Sequence, residues 1–200
     1  VADYVLLGAK FAKWRAVINI GDGMPSMYCI NTNAHALARY ARICQEGGLV
    51  PIVEPEVLMD GTHSLDRCAH VTELTLQRVF AELCDQGVAL EGIILKPNMI
   101  IAGTDCAQQA DVKTVAARTV ESLRRTVPAA VPGIMFLSGG QSEADASAHL
   151  NAMNAKKDRL PWALSYSYGR ALQASSLRAW GGDNCNNPAA QAQLLERARQ

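Results

Sequence analysis

The sequence has no net charge, no long apolar run and no two cysteines at the spacing of a metal-binding pair. Its 19 basic residues equal its 19 acidic ones, which argues against binding nucleic acid or a membrane surface through bulk charge, although a local anion site remains compatible. Because no apolar run reaches about 18 residues, we predict no membrane-spanning helix. Hydrophobic residues make up 49% of the chain, so we expect one soluble domain over residues 1–200 with a sizeable core.

The cysteines and histidines predict neither a metal site nor a cofactor. No Cys-x-x-Cys pair occurs, so we expect free structural thiols in a reducing cytoplasm rather than disulfides or zinc ligands. Cys44 and Cys84 are predicted to lie on the apolar stripes of helices. The histidines lack ligand spacing and are interpreted as surface or packing residues. The cysteines are Cys29, Cys44, Cys68, Cys84, Cys106 and Cys185, and the histidines are His35, His63, His70 and His149.

Strand-like and helix-like segments alternate along the chain. Apolar residues recur at helical spacing in Leu37–Cys44, Leu76–Leu83 and Val112–Leu123, and a capping box at Ser142–Asp145 predicts a fourth helix. Pro188 suits the first turn of a last helix. This alternation predicts an α/β fold with parallel strands. The strand candidates are Lys10–Ile18, Leu49–Val57, Gly92–Leu95, Gly133–Leu137 and Ala163–Tyr168.

Polar residues recur at intervals of one strand-and-helix unit. Glu54 follows Lys13 by 41 residues and precedes Lys96 by 42, and Ser138 follows Lys96 by another 42. Because parallel strands end at the same edge of a sheet, we expect these side chains to gather at one rim. In a (β/α)8 TIM barrel that rim carries the active site. An open doubly wound sheet would spread the same residues along its edge.

The most informative segment is Val88–Asn98, V-A-L-E-G-I-I-L-K-P-N. It predicts a short buried strand that ends at Lys96 and is stopped by Pro97. Burial disfavours the ammonium form, so part of the amine is neutral and can form a Schiff base with a carbonyl. A strand-end lysine can also simply extend to solvent. The residues at the other strand ends favour the nucleophile.

Two carboxylates and two cations accompany this lysine. Glu54 is predicted to transfer protons during imine formation or to act as a counter-ion, and Glu56 to be a counter-ion. We expect these carboxylates to face opposite sides of their strand, with Pro55 perturbing the pleat. Lys13 and Arg15 share a face. Pointing inward they would attract a phosphorylated substrate, and pointing outward they would be ordinary helix-facing residues.

Two glycine-containing segments predict phosphate sites. Ser138-Gly139-Gly140 precedes the capped fourth helix, where backbone N–H groups can approach an anion. Gly169-Arg170 ends the last strand candidate and adds a forked donor. Loops after the last two strands are the usual phosphate location in a (β/α)8 barrel. Trp14 and Trp162 are interpreted as packing residues.

The combined set indicates carbon–carbon bond cleavage of a phosphorylated ketose through an imine, and the chain resembles the class I fructose-bisphosphate aldolases. These are metal-independent, cofactor-free glycolytic enzymes. The Schiff-base signature of the family resembles Val88–Asn98 along its whole length. Further similar segments, in order, are F-A-K-W-R-A-V (Phe11–Val17), G-L-V-P-I-V-E-P-E (Gly48–Glu56), F-L-S-G-G-Q-S (Phe136–Ser142), L-N-A-M-N (Leu150–Asn154) and S-Y-G-R-A-L (Ser167–Leu172).

The resemblance implies specific roles. Lys96 would be the imine-forming lysine, Glu54 the acid/base and Lys13 a catalytic, substrate-binding cation. It also implies a cytoplasmic enzyme, a homotetrameric parent, and the reversible cleavage of fructose 1,6-bisphosphate to dihydroxyacetone phosphate and glyceraldehyde 3-phosphate. The residues expected to bind substrate or phosphate are Arg15, Glu56, Ser138, Gly139, Gly140, Gly169 and Arg170.

The chain also departs from the family pattern. The loop Met99–Gly103 lacks a proline that the family more often has before its glycine, from which we expect a modest local change. Val1–Tyr4 contains no methionine and no signal peptide, and the family's first three strands, with a catalytic aspartate and a further lysine, have no counterpart. We therefore expect a partial TIM barrel, about strands 4 to 8, without the family's C-terminal tail.

Two other functions remain open from the sequence. One is another Schiff-base lyase for phosphorylated sugars, similar to a transaldolase, and the other is a non-catalytic phosphosugar-binding or structural fragment. We expect residues 1–200 alone to associate through unpaired strand edges and to be nearly inactive.

Overall fold

A computed structural model describes residues 1–155 and 159–200 of the chain. Within those ranges, strands and helices alternate as the sequence predicts. The strands are β1 (Phe11–Ile18), β2 (Val50–Val57), β3 (Ile94–Leu95), β4 (Gly133–Phe136) and β5 (Ala163–Tyr166). The helices are α1 (Ala2–Leu6), α2 (Met27–Glu46), α3 (Leu65–Asp85), α4 (Val112–Thr126), α5 (Glu143–Asn154), α6 (Arg170–Trp180) and α7 (Asn187–Arg199).

The five strands form one parallel sheet in which each strand lies beside the next one in the sequence. β1 pairs with β2 along its whole length and places Arg15 opposite Glu54. The ladder between β2 and β3 is shorter and uses Ile52 and Val53 of β2. A doubly wound sheet reverses its strand order at a switch point, whereas this order runs in one direction, as in the arc of a barrel. The predicted α/β class is confirmed.

The strand boundaries differ from the predicted ones by one or two residues, for local reasons. β3 is shorter than Gly92–Leu95 because Leu90–Gly92 forms a single turn of 3-10 helix. The first two strands begin one residue later than predicted, the fourth ends one residue earlier and the fifth two residues earlier. The earlier ends of β4 and β5 lengthen the two loops that carry the predicted phosphate-binding residues.

Side-chain caps begin four of the long helices. Ser26, Ser64 and Asp111 each accept a hydrogen bond from a backbone N–H in the first turn of their helix. Ser142 Oγ accepts from the backbone N–H of Asp145 at 3.0 Å, so the capped fourth helix is confirmed. Pro188 lies in the first turn of α7, also as predicted.

The apolar core lies between the sheet and the helices α2 to α5. Trp162 is buried in this core, as predicted. The prediction for Trp14 is wrong, because β1 is an edge strand of the described sheet and leaves Trp14 55% exposed. The ring of Trp14 lies 6.2 Å from the ring of Tyr40, measured between centroids.

Among the described residues, none of the helices has both the length and the hydropathy of a membrane-spanning helix.

All six cysteines are free thiols. Cys44 is buried on the apolar stripe of α2, but Cys84 is exposed, so that part of the prediction is wrong. Cys84 follows Leu83, and successive residues of an α-helix are rotated by about 100°. Leu83 therefore completes the buried stripe of α3 and Cys84 lies beside it, facing solvent.

Candidate active site

Strands β1, β2 and β3 bring two amines and one carboxylate together. Glu54 Oε2 lies 2.9 Å from Lys13 Nζ, and Glu54 Oε1 lies 3.2 Å from Lys96 Nζ. Lys13 lies on β1, Glu54 lies on β2 and Lys96 directly follows β3, as the spacing of 41 and 42 residues predicts. The carboxylate of Glu54 thus bridges the two lysines.

Burial makes this bridge chemically distinct from a surface ion pair. Glu54 is 3% exposed and Lys96 is 9% exposed, whereas the Lys13 side chain is 43% exposed. Burying either charge alone would carry a large desolvation cost, so the ammonium of Lys96 and the carboxylate of Glu54 stabilise each other as an ion pair. Glu54 Oε2 has no hydrogen-bond partner among the described residues, because its contact with Lys13 has the distance of an ion pair without the angles of a hydrogen bond. Lys13 therefore neutralises Glu54 Oε2 by charge rather than by a directed hydrogen bond.

A second ion pair lies on the same face of the sheet. Arg15 Nε donates to Glu56 Oε2, and this hydrogen bond raises the pKa of Arg15, which stays charged. Lys13 contacts Glu54, and Arg15 contacts Glu56, so all four side chains project from the same face of the sheet. Of the two directions left open by the sequence for Lys13 and Arg15, the inward one is therefore correct. The prediction that the carboxylates face opposite sides is wrong, because residues two apart on a strand share a face. Pro55 does not alter that alternation.

The loops after β4 and β5 meet Arg15 and Glu56 at a cavity of about 390 Å³. Gly139 and Gly140 have φ values of +30° and +74°, which favour glycine. A Cβ on Gly140 would lie 2.8 Å from Met59 Sδ, so the backbone approaches its neighbours closely there. The lining includes five of the predicted substrate-binding residues: Arg15, Glu56, Gly139, Gly140 and Arg170.

The remaining predicted residues lie around this cavity without lining it. Ser138 is buried directly before Gly139, and Gly169 precedes the first residue of α6. Lys13, Glu54 and Lys96 form the neighbouring cluster, which shares strands β1 and β2 with the cavity. The cavity has two arginines, of which Arg15 is paired with Glu56 and Arg170 suits an anion, and the adjacent cluster suits attack on a carbonyl.

The sequence reasoning missed Asn98. This residue is 6% exposed, lines the cavity and accepts a hydrogen bond from the backbone N–H of Val57. The available signal was a polar residue two positions after Lys96 in an otherwise apolar segment. Such a residue, once buried, must have hydrogen-bond partners.

Comparisons with known proteins identify the family. The glycolytic family model described as fructose-bisphosphate aldolase class-I matches residues 1–200, the whole chain. The chain belongs to the class I fructose-bisphosphate aldolases. The resemblance inferred from the sequence motifs is therefore confirmed.

Individual aldolases match over most of this chain and part of their own length. The chain is 58% identical over 199 residues to a probable fructose-bisphosphate aldolase class 1 of Xylella fastidiosa, covering 99% of this chain and 59% of that protein. It is 54% identical over 196 residues to the cytosolic fructose-bisphosphate aldolase 4 of Arabidopsis thaliana, covering 98% and 50% respectively. The chain thus spans about half to three fifths of these aldolases.

A solved aldolase has the same fold over the shared region. The fructose-bisphosphate aldolase of Plasmodium falciparum, crystallised with TRAP and a small-molecule inhibitor, superimposes with a TM-score of 0.95 at 52% identity. The match covers 98% of this chain and 57% of that one. The predicted fold, a partial (β/α)8 TIM barrel, is confirmed.

The roles assigned to individual aldolase residues remain predictions. The structure shows which of them are in contact, but contact does not identify the proton donor, the nucleophile or the phosphate ligand. Within residues 1–155 and 159–200, no three His, Cys, Asp or Glu side chains form a group that could hold a metal ion.

One histidine supports the glycine loop of this aldolase chain and predicts a dependence of stability on pH. His149 is 7% exposed, and its Nδ1 lies 2.7 Å from Oε1 of Gln141, the residue after Gly140. Burial lowers the pKa of His149, against an opposing effect of Asp145. The unfolded chain then binds a proton more readily than the folded one as pH falls through about 6.5. Acidification from about pH 7.5 to 5.5 is expected to lower the melting temperature.

The His149→Gln variant should show a smaller drop in melting temperature over the same pH range, because the titrating group is gone. Burial also lowers the pKa of His63, so part of the wild-type drop should remain. His35, exposed beside Glu82, provides the control variant His35→Gln. An equal drop in wild type and His149→Gln would contradict the prediction.

Proposed function

We propose that the full-length protein containing this chain catalyses the reversible aldol cleavage of fructose 1,6-bisphosphate to dihydroxyacetone phosphate and glyceraldehyde 3-phosphate. The observation that carries the proposal is the Glu54 carboxylate held between Lys13 Nζ and Lys96 Nζ, at 2.9 and 3.2 Å. Family membership supports the same reaction.

Lys96 is the nucleophile in this proposal. Its neutral amine attacks the ketose carbonyl carbon and forms a carbinolamine, which loses water to give an imine. The hydroxyl on the carbon that becomes the aldehyde then gives its proton to a base of the full-length site, the electron pair of the carbon–carbon bond moves into the protonated imine, and the departing aldehyde leaves an enamine. Protonation and hydrolysis of the enamine release dihydroxyacetone phosphate and restore the lysine.

Glu54 takes a proton from the Lys96 ammonium, which frees the amine to attack, and returns it to the carbinolamine hydroxyl, which leaves as water. Its Oε1 lies 3.2 Å from the Lys96 amine, and its Oε2 lies 2.9 Å from Lys13 Nζ. Lys13 stabilises the carboxylate and presents a cation to the substrate, because its side chain is only half-buried. Arg15 and Glu56 form the wall between this cluster and the cavity.

The cavity accepts a phosphate group of the substrate. Gly139 and Gly140 offer backbone donors and Arg170 a charge-assisted one, and Ser138 and Gly169, each directly before a lining residue, are proposed to complete the site. In the relatives named cytosolic, the reaction takes place in the cytosol, and we propose the same location for this protein. We further propose one partial-barrel domain over residues 1–200, a homotetrameric parent, and no nucleic-acid or membrane partner.

The experiment is a cleavage assay of the full-length protein with and without chelator. We expect cleavage of fructose 1,6-bisphosphate, insensitivity to chelator, and a covalent adduct after dihydroxyacetone phosphate and borohydride are added. Transfer of a three-carbon unit between phosphorylated sugars without net cleavage would favour the transaldolase-like alternative. Absence of both cleavage and adduct would indicate a non-catalytic protein and overturn the proposal. Cleavage activity that is lost with chelator and restored by zinc would also overturn it.

Loss of the Arg170 side chain is expected to weaken use of the bisphosphate. Arg170 lines the cavity opposite the glycine loop, and a charge-assisted hydrogen bond contributes about 1.5–3 kcal/mol. We expect Arg170→Ala to lower kcat/KM by about ten- to a hundredfold. Arg178→Ala, an exposed arginine of the same helix outside this cavity, is the matched control. Wild-type kcat/KM in Arg170→Ala would assign the phosphate to other residues.

A further inference from the structure

Asn98 is a buried side chain whose amide is fully engaged with three parts of the fold. Its Oδ1 accepts from the backbone N–H of Val57 at 3.1 Å. Its Nδ2 donates to Thr72 Oγ1 of α3 and to the carbonyl oxygen of Met99, each at 3.0 Å. Because Nδ2 faces a carbonyl oxygen and Oδ1 faces an N–H, these contacts fix the orientation of the amide.

The segment of β2 that carries both carboxylates is held on one side by its ladder with β1 and has few backbone connections on the side of β3. Beyond the ladder, Lys96 N–H donates to the carbonyl oxygen of Val53 at 2.8 Å. Pro55 has no N–H to give. At the far end of the segment, Val57 donates its N–H to Asn98. The two hydrogen bonds lie on either side of Glu54 and tie its strand to Lys96 and Asn98, the two residues that flank Pro97.

Asn98 is in turn held by α3. The hydrogen bond to Thr72 connects it to a helix that packs against β2, so the amide cannot rotate without breaking buried contacts. A buried polar group pays a full desolvation cost if it loses its partner. Asn98 therefore links the end of β2 beyond Glu54 to the segment that follows Lys96 and to α3.

We infer that Asn98 is a positioning residue that sets the distance between the Glu54 carboxylate and the Lys96 amine through its hydrogen bond to Val57. This inference rests on the proposed function, since the distance matters for proton transfer during imine formation. A displacement of about 1 Å between reacting groups can lower a rate by about a hundredfold. The loop Ser138–Gly140 is anchored through the backbone N–H of Leu137, which donates to the carbonyl oxygen of Pro97 at 3.2 Å, and a substitution of the Asn98 side chain leaves that hydrogen bond in place.

The experiment compares three variants of the full-length protein. Asn98→Ala removes the acceptor for Val57, and Asn98→Leu removes it while filling the volume in case the cavity prevents folding. Thr72→Val removes the Oγ1 acceptor of Nδ2 but leaves the hydrogen bond from Val57 in place. The melting temperature of each variant is measured first. Steady-state kinetics and the rate of borohydride trapping are then measured at a temperature below the lowest of these melting temperatures.

We expect Asn98→Ala and Asn98→Leu to lower kcat by about ten- to a hundredfold and to slow trapping in parallel. KM should change less than about threefold. Thr72→Val should have a lower melting temperature and a kcat within about threefold of wild type. It removes only the hydrogen bond between Asn98 and α3, whereas those to Val57 and Met99 remain. This split between kcat and KM is one that general destabilisation would not produce.

Three results would overturn the inference. If the Asn98 variants retain wild-type kcat, the hydrogen bond to Val57 does not control the site. If Thr72→Val loses kcat to the same extent as the Asn98 variants, the role of Asn98 is structural support alone. A wild-type protein that neither cleaves a phosphorylated ketose nor forms an adduct overturns the proposed function together with this inference, so the two failures are distinguishable.

Discussion

Replacing Lys96 with arginine is expected to abolish imine formation and to lower the rate of cleavage by at least about four orders of magnitude. Arginine keeps the positive charge beside Glu54, but its guanidinium is not deprotonated in proteins and cannot act as a nucleophile. Because Lys96 is buried and paired with Glu54, the substitution removes the reactive amine and preserves the charge balance of the cluster. The protein should therefore remain folded.

Mass spectrometry after borohydride reduction checks this result directly. In the full-length wild type, dihydroxyacetone phosphate should leave a reduced adduct on the peptide that contains Lys96. Lys113→Arg, an exposed lysine of α4, is the matched control and should retain both adduct and rate. An adduct found only on Lys10, Lys13 or Lys113 would identify a different nucleophile.

Replacing Glu54 with glutamine is expected to lower the rate of cleavage by about a hundred- to ten-thousandfold, the range typical of general acid–base groups. The amide is close in shape to the carboxylate but cannot deliver a proton to the leaving hydroxyl. It also leaves Lys96, at 9% exposure, without its anionic partner. Adduct trapping should slow together with cleavage, because both steps require dehydration of the carbinolamine.

A matched variant separates this effect from the loss of an ion pair. Glu73 accepts from Ser122 Oγ at 2.7 Å and from Arg125 at 3.2 Å, between α3 and α4 and away from the cluster. Glu73→Gln should lower the melting temperature without changing kcat. If Glu54→Gln cleaves within about threefold of wild type, Glu54 serves only as a counter-ion, the alternative that the sequence left open.

The sequence predicted the gathering of the cluster because its spacing has a simple geometric cause. Lys13, Glu54 and Lys96 are separated by one strand-and-helix unit each, and parallel neighbouring strands turn that separation into adjacency. The same reasoning left the direction of Lys13 and Arg15 open. β1 is an edge strand with exposed residues on both faces, so its sequence does not alternate between apolar and polar residues in a way that predicts which face points inward.

Other features depended on contacts that no local pattern encodes. Asn98 acquires its role from Val57 and Thr72, which lie 41 and 26 residues away. The shared face of Glu54 and Glu56 was within reach of the sequence, because alternation along a strand has a period of two. That prediction failed because it placed residues two apart on opposite faces, which holds only for successive residues.

The separation of the site into one contribution per strand-and-helix unit also has a consequence for evolution and for protein engineering. In the proposed mechanism, Lys96 directly after β3 is the nucleophile and β2 carries the carboxylates, whereas the loops after β4 and β5 complete a cavity that Arg15 of β1 and Glu56 of β2 also line. Exchanging the loop Ser138–Gly140 or the segment Gly169–Arg170 would then change the part of the site that is proposed to hold phosphate and leave Lys96 and Glu54 in place. New substrate ranges are thus reachable by recombining loops, without rebuilding the reaction centre.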